Sequence, residues 1–190
     1  MIRFNLLMKT FFSDMASIEQ FTSSLKSMPA LTCQHCLKKE HFISHGFVYK
    51  QHSITHKEAV GKRIVCCNRY GHQGCGRTKQ VYIAKTLPNR RYSGAVLATF
   101  IQLLLIGCAV PEAYYRATDQ VQTRQAWRWL HRLKANMMCY RGALSPPNAS
   151  MPPPVIVRDS LLFTTLARLF SSTTSCPCAG FQLAQQHAFI

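Results

Sequence analysis

Acidic residues are scarce in this chain: seven Asp and Glu stand against 23 Lys and Arg in 190 residues, for a formal net charge of +16. Such a deficit raises self-repulsion in any compact state and points to an anionic partner, either nucleic acid or an acidic surface. The carboxylates Asp14, Glu19, Glu40, Glu58, Glu112, Asp119 and Asp159 are scattered singly. No spacing among them assembles the carboxylate cluster that holds Mg²⁺ in two-metal phosphoryl transfer, so the chain reads as a binding protein without a catalytic centre, not as an enzyme. Long apolar runs are lacking too. The patch Phe4 to Met8 is broken by Lys9 and Asp14 and has no h-region of a signal peptide. The run that starts near Ala95 is about sixteen residues long, contains Gln102 and is short for a membrane span. The expectation is a cytoplasmic, nucleoid-associated protein with no membrane partner, and Met15 is an alternative start.

Cysteine, by contrast, is abundant, with nine in the chain. An odd count without a secretory leader argues against a disulfide framework and for metal or redox chemistry. Cys33 and Cys36 form a C-x-x-C turn, and a second turn lies at Cys66 (or its neighbour Cys67) and Cys75. Four thiolates from two separated turns supply the tetrahedral shell of one structural Zn²⁺ and staple a segment too small to stand on its own core. The gaps are long, with 29 residues between Cys36 and Cys66 and eight between Cys66 and Cys75. Loop closure grows only logarithmically with length, so both are tolerable. Cys66 and Cys67 face opposite ways on a strand; Cys66 is the favoured third ligand, with Cys67 and His72 as alternates.

The chain divides by texture into a leader over 1–30, partly disordered or forming one helix near Ser17 to Leu25, and a cysteine-rich β region over 31–92. Helices follow over 93–141, then a Pro-rich linker over 142–154 and a helical C-terminal segment over 155–190. In the β region, Phe42-Ile43-Ser44-His45 and Phe47-Val48-Tyr49-Lys50 flank Gly46, Lys62 to Cys67 leads to the second turn, and Val81-Tyr82-Ile83 follows it. Short β-branched and aromatic runs punctuated by Gly are strand signals. The expected class is α+β: a small β zinc ribbon, a helix-turn-helix domain and a helical tail.

Ser93 is placed to cap a helix ending near Gly107, Pro111 suits the first turn of a second helix through Thr118, and Thr123 is a cap for a third from Arg124 to about Asn136. On that third helix Ala126, Trp127, Leu130 and Leu133 read as the core side, with Arg124, Arg128 and Arg132 as a stripe beside them. Trp129 then falls on another face, open to a sugar, a base or a partner helix. Cys176-Pro177-Cys178 is too tight for a zinc knuckle and reads as a loop, with accessory metal or redox chemistry as its alternative.

The strings Cys33-Gln34-His35-Cys36, His45-Gly46-Phe47, Lys62-Arg63-Ile64-Val65-Cys66 and Gly74-Cys75-Gly76-Arg77-Thr78 resemble the zinc ribbon of bacterial insertion-sequence transposases. The stretch from Pro111 through Thr118 to Thr123 and Leu130 resembles the helix-turn-helix that follows it there, so the similarity covers about Leu31 to Leu133. It departs from the family in placing Leu37 after Cys36 where Gly is frequent, and in an expanded second turn. The resemblance implies double-stranded DNA as partner, with a homodimer or a transposase beside it. A catalytic carboxylate domain has neither room nor residues, so the chain resembles a stand-alone relative of transposase recognition domains.

On this reading Arg124, Gln125, Arg128 and Arg132 enter or flank the major groove, where Arg pairs bidentately with guanine. Lys62, Arg63, Arg77, Lys79, Arg90 and Arg91 neutralise phosphates. Two other classes remain as alternatives, an RNA-binding zinc ribbon and a thiol redox protein using Cys33 and Cys36.

Overall fold

The computed structural model describes residues 11–28, 31–39, 41–51, 57–144, 161–171 and 176–190. Its α+β chain forms two compact units, Met1–Arg91 and Tyr92–Ile190.

The first unit is built on a four-stranded mixed sheet in the order β1-β4-β3-β2. β2 (Phe42–Gln51) and β3 (Lys57–Cys66) pair antiparallel, and β4 (Thr78–Ile83) runs antiparallel to β3. β2 does not stop at Gly46. It continues through a bulge in which the pairing steps from Ser44↔Ile64 to Phe47↔Lys62, and Gly46 takes φ +87° there. A glycine supplies that left-handed geometry without steric cost.

Residues 11–28 correct the picture of a loose leader. β1 (Phe11–Phe12) adds to β4 in parallel, through Phe11↔Tyr82 and Phe12↔Ile83. α1 (Met15–Ser23) follows, and a 3-10 turn (Ser24–Ser27) closes it. α1 begins where Asp14 accepts a hydrogen bond from the Ser17 N–H at 2.7 Å, and that bond first of all holds the Asp14 carboxyl below its ordinary range. Ile18 of α1 and Leu25 of the turn are buried with Leu31, Cys33, Phe42, Ile64, Cys66, Val81 and Ile83 in one core. These residues were legible as helix; their role in covering the sheet was not. The strands alone have too little apolar surface to bury without them.

The second unit is helical: α2 (Gly94–Leu105), α3 (Val110–Thr118), α4 (Arg124–Ala135), α5 (Met137–Ala143), α6 (Leu161–Ser171) and α7 (Pro177–Gln185). Ser93 caps α2 by accepting from the Val96 N–H. Asp119, at φ 55°, ends α3, and residues 119–123 lead into α4, where the Thr123 side chain makes no capping bond. No described helix is long and apolar enough to cross a membrane. The Pro-rich linker lies outside the described residues, except for its first residues, where α5 ends.

Trp129 is the hub of α2, α3 and α4. It is fully buried and meets Phe100, Tyr114 and Tyr92 edge-on, with ring centroids 5.3, 5.4 and 5.4 Å away. Trp127 is 56% exposed. The two tryptophans therefore exchange the roles the sequence suggested. A second aromatic group joins Tyr140, Phe181 and Phe189. Its polar atoms are paired: Tyr140 Oη and Asn136 Nδ2 donate to the Phe189 carbonyl, and the Phe189 N–H donates to Oε1 of the buried Gln182. Cys176-Pro177-Cys178 is not a loop but the start of α7, with Pro177 in its first turn and Cys178 fully buried. The fixed φ of proline favours that position, where its missing N–H has no helical partner to lose.

Candidate metal centre

Two turns bring four sulfurs together. In the first, the Cys33 N–H donates to the Lys38 carbonyl at 2.9 Å and the Leu37 N–H to the Cys33 carbonyl at 2.8 Å, with Leu37 at φ 58°. Leu37 occupies the left-handed position that ends the turn, a conformation that favours Gly. In the second turn, the Cys66 N–H donates to the Arg77 carbonyl, the Gly76 N–H to the Cys66 carbonyl, and the Cys75 N–H to Cys66 Sγ at 3.4 Å. Gly74 packs so tightly that a Cβ there would lie 2.3 Å from the Cys67 carbonyl oxygen. Glycine lets the backbone pass this close to the Cys66 and Cys67 carbonyls.

The result is a set of four ligand atoms, from Cys33, Cys36, Cys66 and Cys75, all within 4.8 Å of one another. Cys33 Sγ stands 3.7 Å from Cys75 Sγ, and Cys36 Sγ 3.7 Å from Cys66 Sγ. A tetrahedral ion with metal–sulfur bonds of about 2.3 Å has sulfur–sulfur edges of roughly 3.75 Å. The observed edges fit a single metal ion and are far too long for a disulfide, so all four are free thiols.

Cys67 lies outside the set. Its Sγ accepts from the Arg69 N–H at 3.3 Å, which resolves the choice of neighbour as strand alternation predicts. His72 rests edge-on against His41, ring centroids 5.8 Å apart, and is not among the four. His52 and His56 lie outside the described residues.

The thiols are unlike one another. Burial raises Cys33, but the N–H groups of Cys36 and His35 and the neighbouring thiols outweigh it and bring the group down to about 7. Cys66 is pushed up to about 12, first by burial and then by the adjacent thiols, against the Cys75 N–H. A metal must therefore displace a proton from Cys66 to bind. Lys79 sits near this charge: burial lowers its pKa and the Cys33 thiolate opposes that.

The other predicted residues are placed unevenly. Lys62 turns inward, with Nζ 3.3 Å from Thr22 Oγ1, 3.9 Å from Glu19 and 4.9 Å from the Phe47 ring centre. Lys79 and Arg90 are half-buried, whereas Arg63, Arg77 and Arg91 are exposed. On α4, Arg124 and Arg128 are exposed while Gln125 and Arg132 are half-buried at the edge of the core. The open face instead holds Trp127 and His131, both exposed, beside the two arginines. Sequence reasoning missed that pair because it assigned Trp127 to the core. It also passed over the exposed Lys38, Lys39 and Arg69 in the two cysteine turns.

Compared with family models, with curated proteins and with solved structures, the chain matches none.

Proposed function

We propose that the chain is a zinc-dependent DNA-binding protein, related in design to transposase recognition domains. Cys33, Cys36, Cys66 and Cys75 hold one structural Zn²⁺. Four protein thiolates leave no coordination position for water, and a closed tetrahedral sulfur shell suits zinc. Zinc stabilises the first unit by joining β3 to a turn outside the sheet, and it carries no chemistry of its own.

The DNA reading rests on one observation above the rest: α4 exposes Arg124, Arg128 and His131 on one side, contains no acidic residue, and follows α3 across a short turn. In a helix-turn-helix that side enters the major groove, where each bidentate Arg–guanine pair discriminates by roughly 1–3 kcal/mol. Arg63, Arg77 and Arg91 neutralise phosphates, and the net charge of +16 steers approach. Lys62 is already engaged inside the protein and takes no part.

The test titrates the metal-loaded chain with labelled duplex DNA at several salt concentrations, with a structured RNA as competitor. Three exposed arginines on phosphates predict a slope of log affinity against log salt of about −3. Preference for the RNA at equal salt overturns the DNA reading in favour of an RNA-binding ribbon.

A further inference from the structure

Trp127 is large, apolar and 56% exposed in a helix whose other tryptophan is walled by aromatic rings. At about 100° per residue, Arg124, Trp127, Arg128 and His131 occupy an arc of about 100° on α4. The buried Ala126, Leu130 and Leu133 occupy the opposite arc. Trp127 thus stands at one edge of the cationic face that the DNA reading turns toward the duplex, next to His131. Burying an aromatic side chain is favourable, and the free chain forgoes much of that gain here.

Resting on that reading, we infer that Trp127 is a base-contacting residue whose ring packs on the C5-methyl of thymine, so that α4 selects sites in which thymine lies beside guanine. The major-groove edge offers hydrogen-bonding groups at every base pair, but its one apolar group is the thymine methyl. The guanidinium groups of Arg124 and Arg128, one helical turn apart, are complementary to guanine O6 and N7. The indole to one side of them has no such partner and matches the methyl. An unpaired base stacking on the ring is the competing occupant; the presentation of Arg124 and Arg128 one turn apart on a regular helix favours the intact major groove, which admits an α-helix and displays successive base edges to it.

The experiment uses the full chain and a duplex recovered by the wild type from a random-sequence pool, against the same duplex with every thymine replaced by deoxyuridine. Loss of one packed methyl lowers affinity about fourfold, and the expected result is a ratio of at least that size for wild type. For Trp127→Ala the ratio falls to near one, and for Trp127→Phe it lies between. Circular dichroism of both variants confirms that the exposed position leaves folding intact. A ratio unchanged by Trp127→Ala, or tighter binding to the separated strand than to the duplex, overturns the inference while leaving DNA binding in place. Failure of the wild type to enrich any duplex overturns both.

Discussion

Cys33 Sγ and Cys75 Sγ stand 3.7 Å apart across 42 positions of sequence, which ties a turn ahead of β2 to the turn between β3 and β4. Four thiols at that distance repel as thiolates and cohere only around a cation. Binding of the ion and ordering of the two turns are therefore one equilibrium.

Metal affinity rises with pH. Cys66, pushed up to about 12, keeps its proton throughout the physiological range and gives it up only when the metal binds, so affinity increases at least about tenfold per pH unit. Below pH 7 Cys33 is also protonated, and the dependence steepens further. A competitive chelator titration from pH 6 to 8 measures the slope; a flat profile contradicts the assignment.

The two turns respond oppositely to substitution at their tight positions. In Gly74→Ala the new Cβ meets backbone at 2.3 Å, which cannot move aside without moving Cys66 and Cys67. A loss of about 2 kcal/mol or more is expected, with weakened metal retention. Leu37 is 74% exposed and left-handed. Relief of about 1–2 kcal/mol of left-handed strain outweighs the entropic cost of glycine, about 0.5–1 kcal/mol, so Leu37→Gly is stabilising by a few tenths to 1 kcal/mol. Denaturant titration of the zinc-loaded chain reads both.

The tryptophans separate just as clearly. Trp129→Ala empties the hub shared with Phe100, Tyr114 and Tyr92 and costs about 3–5 kcal/mol. Trp127→Ala changes stability by no more than about 0.5 kcal/mol. Thermal unfolding of the two variants checks the order.

How much of this was legible beforehand depended on where the determining contact lay. The C-x-x-C turn, the Ser93 cap and Pro111 are local signals, and each marks its element within a residue or two. The Trp127 assignment failed although the wheel held the answer. Relative to the centre of Ala126, Leu130 and Leu133, Trp129 lies about 70° away and Trp127 about 90°; only the rings of Tyr92, Phe100 and Tyr114 make that small difference decisive. β1 was illegible for another reason. Two residues carry no periodicity, and Phe11 joins the sheet through β4, some 70 positions later.

Cys176 is the thiol expected to react first in the metal-loaded chain. The Cys178 thiol donates to it and, with the N–H groups at the start of α7, brings it down to about 6, whereas burial drives Cys178 up. Alkylation at Cys176 should accelerate as pH rises through 6 and level off above about 7, followed by peptide mass mapping. Faster labelling of Cys178 contradicts this.

The most direct measurement is the metal content of the purified full chain, alongside Cys33→Ser, Cys75→Ser and Cys67→Ser. The account predicts one equivalent of zinc in a colourless wild type, the same in Cys67→Ser, and loss of tightly held metal in the other two. Stoichiometric zinc retained in both Cys33→Ser and Cys75→Ser, or a wild type that folds identically without metal, would contradict it.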